Sequence, residues 1–205
     1  MEWTMRRLWS VVIIILIASV AVSADSKEQN DPNYPNNPSE LIRTKWDAVI
    51  SVLQSKDLGE EARIKKINEI ISPIFNVPLM AKLALGRKHW PKLTAAQQEK
   101  YTRLFRERLR FLYRQEVSFY ANEEVLFKPA VKKKNTVYVP VELKSKDKKI
   151  ALMHKLRKSG KRWKIYDLEI QGVSILLIYR SQFDDILSSG TVEDFLSRLA
   201  KPPKQ

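Results

Sequence analysis

Few side chains in this sequence are of the kinds that carry out reactions. There is no cysteine, so thiol nucleophiles and disulfides are excluded together. The two histidines, His89 and His154, stand far apart, and neither belongs to a ligand spacing such as H-E-x-x-H. His154 falls in the apolar alternation Ile150, Leu152, His154, Leu156, which reads as a satisfied core or sheet-edge histidine rather than a catalytic one. Asp167 and Glu169 are separated by one residue, so on a strand both face the same side, where paired carboxylates could do acid–base work. The plainer reading is that one caps a neighbouring loop and the other is solvated. Glycine is scarce and no Gly-rich phosphate loop exists. Nothing in these patterns makes a case for an active site.

Charge is the second feature. Lysine and arginine number 37 against 23 acidic residues, a formal net charge of +14. Such an excess attracts acidic surfaces: anionic lipid headgroups, an acidic protein partner or nucleic acid. The basic residues gather where strands turn: Lys132, Lys133 and Lys134; Lys144, Lys146, Lys148 and Lys149; then Lys155, Arg157, Lys158, Lys161 and Arg162. Lysines at hairpin ends also keep sheet edges soluble, which accounts for part of them.

The elements that position these residues follow an export signal. Arg6 and Arg7 precede an apolar stretch from Leu8 to Val22, and Val22-Ser23-Ala24 supplies the small residues a signal peptidase needs. The stretch is shorter than the roughly 20 residues that cross a bilayer, so cleavage after Ala24 is expected rather than anchoring. Loss of residues 1–24, with Glu2, Arg6 and Arg7, brings the charge to +13. Export argues against a nucleic-acid partner. Residues 25–38 are rich in Asn, Asp and Pro and read as a flexible leader. Residues 39–200 form a single domain with a sizeable core, and 201–205 a tail. An exported domain without disulfides is held by packing alone, which suits a periplasm.

Helical periodicity comes first along the domain. Ser39 is placed to cap a helix running to about Lys56, with Leu41, Trp46, Val49, Ile50 and Leu53 on one face. A second helix from Glu60 carries Ile64, Ile67, Ile70 and Ile71 and closes at Pro73. A third opens at Asn76 and Pro78. The longest starts at Thr94, where Thr94-Ala95-Ala96-Gln97 fits a capping box, and carries Tyr101, Leu104, Phe105, Leu109, Leu112, Tyr113, Val117 and Tyr120. The period then changes to two. Val137, Val139, Val141 and Leu143 alternate with polar residues, as do Ile150 to Leu156, and Trp163 to Ile170 follows, with an earlier strand over Val125 to Val131. Pro140 marks an edge or a bulge. Two more helices, from Ser174 to Leu187 and after Thr191, complete an α+β domain: a helical subdomain packed on a four-stranded antiparallel sheet. Periodicity alone does not separate a filled core from a hollow one.

Two stretches are similar to a known family. The first is Phe75-Asn76-Val77-Pro78-Leu79-Met80-Ala81-Lys82-Leu83-Ala84-Leu85-Gly86-Arg87, followed by His89-Trp90 and Thr94-Ala95-Ala96-Gln97-Gln98. The second is Trp163-Lys164-Ile165-Tyr166-Asp167-Leu168-Glu169-Ile170-Gln171-Gly172-Val173-Ser174, then Tyr179-Arg180-Ser181-Gln182-Phe183. Together they resemble the MlaC family of periplasmic phospholipid-binding proteins, also called toluene-tolerance proteins or ABC transporter auxiliary components, over about Ser39 to Leu199.

The resemblance implies a cystatin/NTF2-like sheet against a helical subdomain, with the acyl chains of a glycerophospholipid between them and its headgroup toward solvent. It implies a monomeric carrier without cofactor or metal. Such a carrier shuttles lipid between an outer-membrane lipoprotein complex and an inner-membrane MCE-protein/ABC transporter complex, in the upkeep of outer-membrane lipid asymmetry. A related branch travels with hopanoid synthesis, which leaves a polycyclic ligand open. Tail contacts are expected from Phe75, Met80, Leu83, Leu104, Phe105, Leu109 and Leu112 on the helices. From the sheet and its exit, Val139, Val141, Leu152, Leu168, Val173 and Leu176 join them. Lys144, Lys146, Lys148 and Lys149 are the expected partner surface, and the basic residues from Lys132 to Arg162 are expected near one end of the sheet. Two alternatives stand beside the carrier: an NTF2-like enzyme using Asp167, and a basic cell-envelope binding module without a cavity.

Overall fold

The computed structural model describes residues 34–55, 57–114, 124–145 and 148–201, without the side chains of 111–114, 145 and 148. The expected signal peptide, the leader up to position 33, Lys56, Val117, Tyr120, Lys146 and the end of the tail lie outside the described residues, as do the side chains of Leu112, Tyr113 and Lys148.

Among the described residues four helices come first: α1 Pro38–Gln54, α2 Glu60–Ile71, α3 Val77–His89 and α4 Ala95–Arg114. Strands β1 Glu124–Phe127, β2 Val131–Lys133, β3 Thr136–Ser145, β4 Lys148–Ser159, β5 Arg162–Ile170 and β6 Val173–Ser174 follow, then α5 Ile175–Ser189 and α6 Val192–Ala200. The helix starts are local chemistry. Asn37, two positions earlier than the expected Ser39, caps α1 by accepting from the Ser39 and Glu40 amides. Asn76 accepts from Leu79 N at 3.1 Å to start α3. Thr94 and Gln97 make the expected reciprocal box before α4, at 3.2 and 2.8 Å. Thr191 and Asp194 repeat it before α6.

The sheet is antiparallel and open, in the order β1-β3-β4-β5-β6, with β2 also paired to β3. Among the described residues it holds six strands where four were expected. Two of the six, β2 and β6, are only three and two residues long, too short to show an alternation. The single early strand expected over Val125 to Val131 is split into β1 and β2, and Pro140 explains the split. Its carbonyl accepts from Lys128 N at 3.1 Å, so its nitrogen, which has no hydrogen to donate, faces the same gap between β1 and β2. Gln171 and Gly172, both at positive φ (51° and 79°), turn β5 tightly into β6.

One face of the sheet is apolar and covered by helices. Register aligns Val139 with His154 and His154 with Leu168, and Val141 with Leu152. Val137, Leu143, Ile150, Leu156 and Ile165 extend that buried face. A register shift between Lys155 and Leu156 skips Tyr166, which lets Ile165 and Leu168 both turn inward. Helix α1 crosses this face. Arg43 stacks over Phe127 of β1 at 4.2 Å, and Trp46 meets His154 of β4 edge to face. Before it, Tyr34 donates to the Trp163 carbonyl at 2.7 Å.

The other helices make a second, denser block. Tyr101 and Phe105 of α4, Tyr179 and Phe183 of α5 and Phe195 of α6 form a ring cluster with centroids 5.1 to 6.1 Å apart. All five are buried.

Candidate functional site

The two layers meet along a seam between the α1–α2 pair and the inner face of the sheet. Its apolar wall comes from α1 (Ile42, Trp46, Val49), the end of α2 (Ile71), the 3₁₀ turn after it (Ile74) and the sheet (Ile165). Lys45 and His154 complete the lining of a cavity of ≈ 10 Å³. That is close to the least space that holds one water-sized group.

His154 is the polar feature of this wall. Its ring is fully buried, and Nδ1 lies 3.2 Å from the Val139 carbonyl. Burial pulls its pKa from the ordinary 6.5 down to about 4, against the opposing hydrogen bond to Val139. The ring is therefore neutral at neutral pH. Of the two readings of this histidine, core residue and catalytic group, the fold takes the first, yet only one ring nitrogen is satisfied: Nε2 has no partner among the described residues.

The expected tail-contact residues fall into three groups. Val139, Val141, Leu152 and Leu168 lie together on the buried inner face of the sheet. Phe75, Met80, Leu104, Phe105, Leu109 and Leu176 are buried, and Leu83 is partly buried against the same core. Phe105, however, sits inside the aromatic block rather than on the seam. Val173 stands apart, 52% exposed in the two-residue strand β6, where no second layer covers it. The seam residues Ile42, Trp46, Val49, Ile71, Ile74, His154 and Ile165 were not singled out from the sequence. Their periodicity marks them only as core, and the one signal pointing further was a histidine in an apolar alternation.

The two stretches that carry the family resemblance form the joint between layers. Phe75 bridges to Ile165, and Asn76 N donates to the Ile165 carbonyl at 2.8 Å, tying the start of α3 to the edge of β5. Gly86 breaks α3 with φ 73° and ψ 179°, a conformation open to glycine. Arg180 of α5 donates to the carbonyl of Leu83 through Nε (3.1 Å) and Nη2 (2.6 Å), and its Nε lies 3.3 Å from where a Gly86 side chain would begin. Asp167 has the capping role expected for one of the two carboxylates. It accepts from Ser174 Oγ at 2.9 Å and from Leu176 N at 3.4 Å, while Ser174 in turn caps α5. Glu169 is not simply solvated: Lys155 reaches both carboxylates, at 3.1 Å for Asp167 and closer for Glu169. Burial pulls the Lys155 ammonium down, and its bonds to Glu169 and Asp167 outweigh that, leaving its pKa raised.

The basic residues do not share one end of the sheet. The β2–β3 and β4–β5 turns, with Lys132, Lys133, Lys134, Arg157, Lys158, Lys161 and Arg162, fall at one end; the β3–β4 turn, with Lys144 and Lys149, falls at the other. Successive turns of an antiparallel meander must lie at opposite ends, which overturns the one-end expectation. Ten residues of β3 separate the groups by about 30 Å. Lys144 lies 3.7 Å from Glu124, and Lys149 is 4.0 Å from Glu142.

A helical layer closed over the apolar face of an open sheet, with an aliphatic and aromatic seam between them, defines an α+β fold. Residues 43–201 match the model of the MlaC protein family, and the chain belongs to that family. Its members are periplasmic and non-enzymatic carriers of phospholipid, so this chain is a lipid carrier rather than an enzyme. In fold it is similar to a solved phospholipid-binding protein from Ralstonia solanacearum, crystallised in complex with a phospholipid. The two are 23% identical over 80% of this chain and 99% of that one, with a TM-score of 0.67. Comparison with curated protein sequences gives no match.

Proposed function

We propose that the mature protein, cleaved after Ala24, takes a glycerophospholipid with its acyl chains in the seam and its headgroup toward solvent. It ferries this cargo between an outer-membrane lipoprotein complex and an inner-membrane MCE-protein/ABC transporter complex. The observation that carries the reading is the family match across residues 43–201, over a fold whose two layers meet along an apolar seam. A two-chain lipid has on the order of 30 methylene groups, each costing about 0.8 kcal/mol to expose to water, so free diffusion is impractical and a dry container is needed. The chains are as dry in a bilayer as in the seam, so transfer is close to balanced and direction comes from the partners. Two acyl chains need far more than ≈ 10 Å³, so loading opens room along the seam beyond this cavity.

Lipid extraction and native mass spectrometry of gently purified protein test this. One bound phospholipid per chain is expected; a clean ligand-free protein overturns the reading. Val139→Trp and Val141→Trp fill the inner face of the sheet and should abolish lipid retention with the circular-dichroism spectrum preserved. Stoichiometric lipid in both variants would place the chains elsewhere.

A further inference from the structure

Two buried polar atoms on facing walls of the seam have no partner among the described residues: Trp46 Nε1 on α1 and His154 Nε2 on β4. Both residues line the same ≈ 10 Å³ cavity, and their rings lie edge to face with centroids 6.3 Å apart. The roles of the two atoms follow from chemistry. Indole Nε1–H only donates. The Val139 carbonyl only accepts, so His154 Nδ1 must carry the hydrogen that points to it, and in the neutral ring Nε2 is then a bare acceptor. One orphan donor and one orphan acceptor, on two residues that line one apolar cavity, are unfavourable until something satisfies them.

The requirement is selective. An ester carbonyl would serve the indole and leave the imidazole bare. An ammonium would serve only the imidazole and bring a charge into an apolar wall. A phosphate oxygen would serve the indole, with Lys45 on the lining favouring its charge, but would leave the imidazole bare, and a headgroup hydroxyl would draw its phosphate in behind it. A hydroxyl on an otherwise apolar body both accepts and donates through one oxygen, and an oxygen fits the space.

We propose that Trp46 and His154 form a recognition point inside the seam for a hydroxyl borne by a lipid's apolar part, either a hydroxylated acyl chain or a ring alcohol. This rests on the carrier reading and adds to it a preference among cargoes.

Matched probes test it. Purified protein is equilibrated with mixed micelles holding equal amounts of distearoyl phosphatidylcholine and its hydroxystearoyl counterpart, and separately with cholestane and cholestanol. Bound species are then counted by native mass spectrometry. Wild type should hold the hydroxylated member about tenfold over its plain partner in at least one pair, and the pair that responds names the chain or the ring as the source. Trp46→Phe and His154→Phe should bring that ratio to about one, read within each pair so that any general loss of binding cancels. Equal retention within both pairs in wild type overturns the proposal and leaves the two atoms to an ordered water, with the carrier reading intact. Retention of no probe at all overturns both. Where a variant fails to fold, nitrogen NMR of the wild-type imidazole decides. The Nε2 resonance should move with the hydroxylated probe and stay with the plain one; the same spectrum with both counts against the site.

Discussion

The aromatic block and the seam are built from similar residue types and do opposite things. In the block, five rings from α4, α5 and α6 interlock, and the Tyr101 hydroxyl is satisfied by the Ala81 carbonyl at 3.1 Å. Burial pushes the phenols of Tyr101 and Tyr179 well above their ordinary range, so both stay neutral at any pH the protein meets. In the seam, aliphatic side chains from α1 and α2 face the sheet across a small void, and two polar atoms go unsatisfied. Close packing of this kind makes a rigid support. A seam with a gap and orphan atoms is where a molecule can part the layers, because fewer contacts are given up there. On the proposed reading the block holds the frame and the seam receives the cargo.

The largest effect that can break this contrast is a cavity in each region. Phe105→Ala should cost about 3–5 kcal/mol in urea unfolding, and added phospholipid should not restore it. Ile74→Ala, on the seam, should cost nearer 2 kcal/mol, with part of the loss recovered in the lipid-loaded protein, since a ligand can fill the space it leaves. Equal losses unaffected by lipid at both sites would erase the distinction.

Acid should find the seam first. The His154 ring titrates at its ordinary 6.5 in the unfolded chain and at about 4 in the fold. Between those values the unfolded chain binds a proton the folded one refuses, so stability rises with pH across that window. Descending through it costs about 3 kcal/mol, complete near its lower edge. Urea midpoints measured from pH 7 to pH 4 should show this slope, and His154→Gln should remove that part of it. An unchanged slope in the variant would mean that other groups govern acid lability.

A smaller effect tests the joint that ties the block to the sheet. Gly86→Ala forces a side chain into a conformation at φ 73° and against Arg180, and should cost roughly 1–3 kcal/mol with lipid preference unchanged. A shift in bound lipid with little loss of stability would move this position from the frame to the site.

The least effect on stability, within about 0.5 kcal/mol, is expected from exposed charge. The two basic ends lie about 30 Å apart, several screening lengths at ordinary ionic strength, so they act independently. Reversing Lys144, Lys146, Lys148 and Lys149 to Glu should slow lipid transfer to anionic acceptor vesicles and flatten its salt dependence. Reversing Lys132, Lys133 and Lys134 should leave transfer as it was. The opposite pattern would give the docking role to the other end.

What the sequence by itself determined is what depends on near neighbours along the chain. Capping residues sit beside the amides they satisfy, so the starts of α3, α4 and α6 were legible, and α1 missed by two positions only because Asn37 outreaches Ser39. The two-residue alternation through Val137–Leu143 and Ile150–Leu156 defined the apolar face of the sheet, because side-chain direction in a strand is local geometry. The family strings were legible as strings, and the meander's alternating turns could have warned that the lysines divide between two ends. Only the tertiary structure decided what the strings are for: Arg180 reaching Leu83 across 97 positions, and Asp167 holding Ser174 at the entry to α5. It alone decided which apolar residues became a solid block and which became a seam. Tyr101 and Trp46 both read as core in a helical stripe, yet one packs among four rings and the other faces a histidine on a strand more than a hundred residues away. Periodicity says which side of an element is apolar; what that side meets is settled by long-range packing, and the function lies in that meeting.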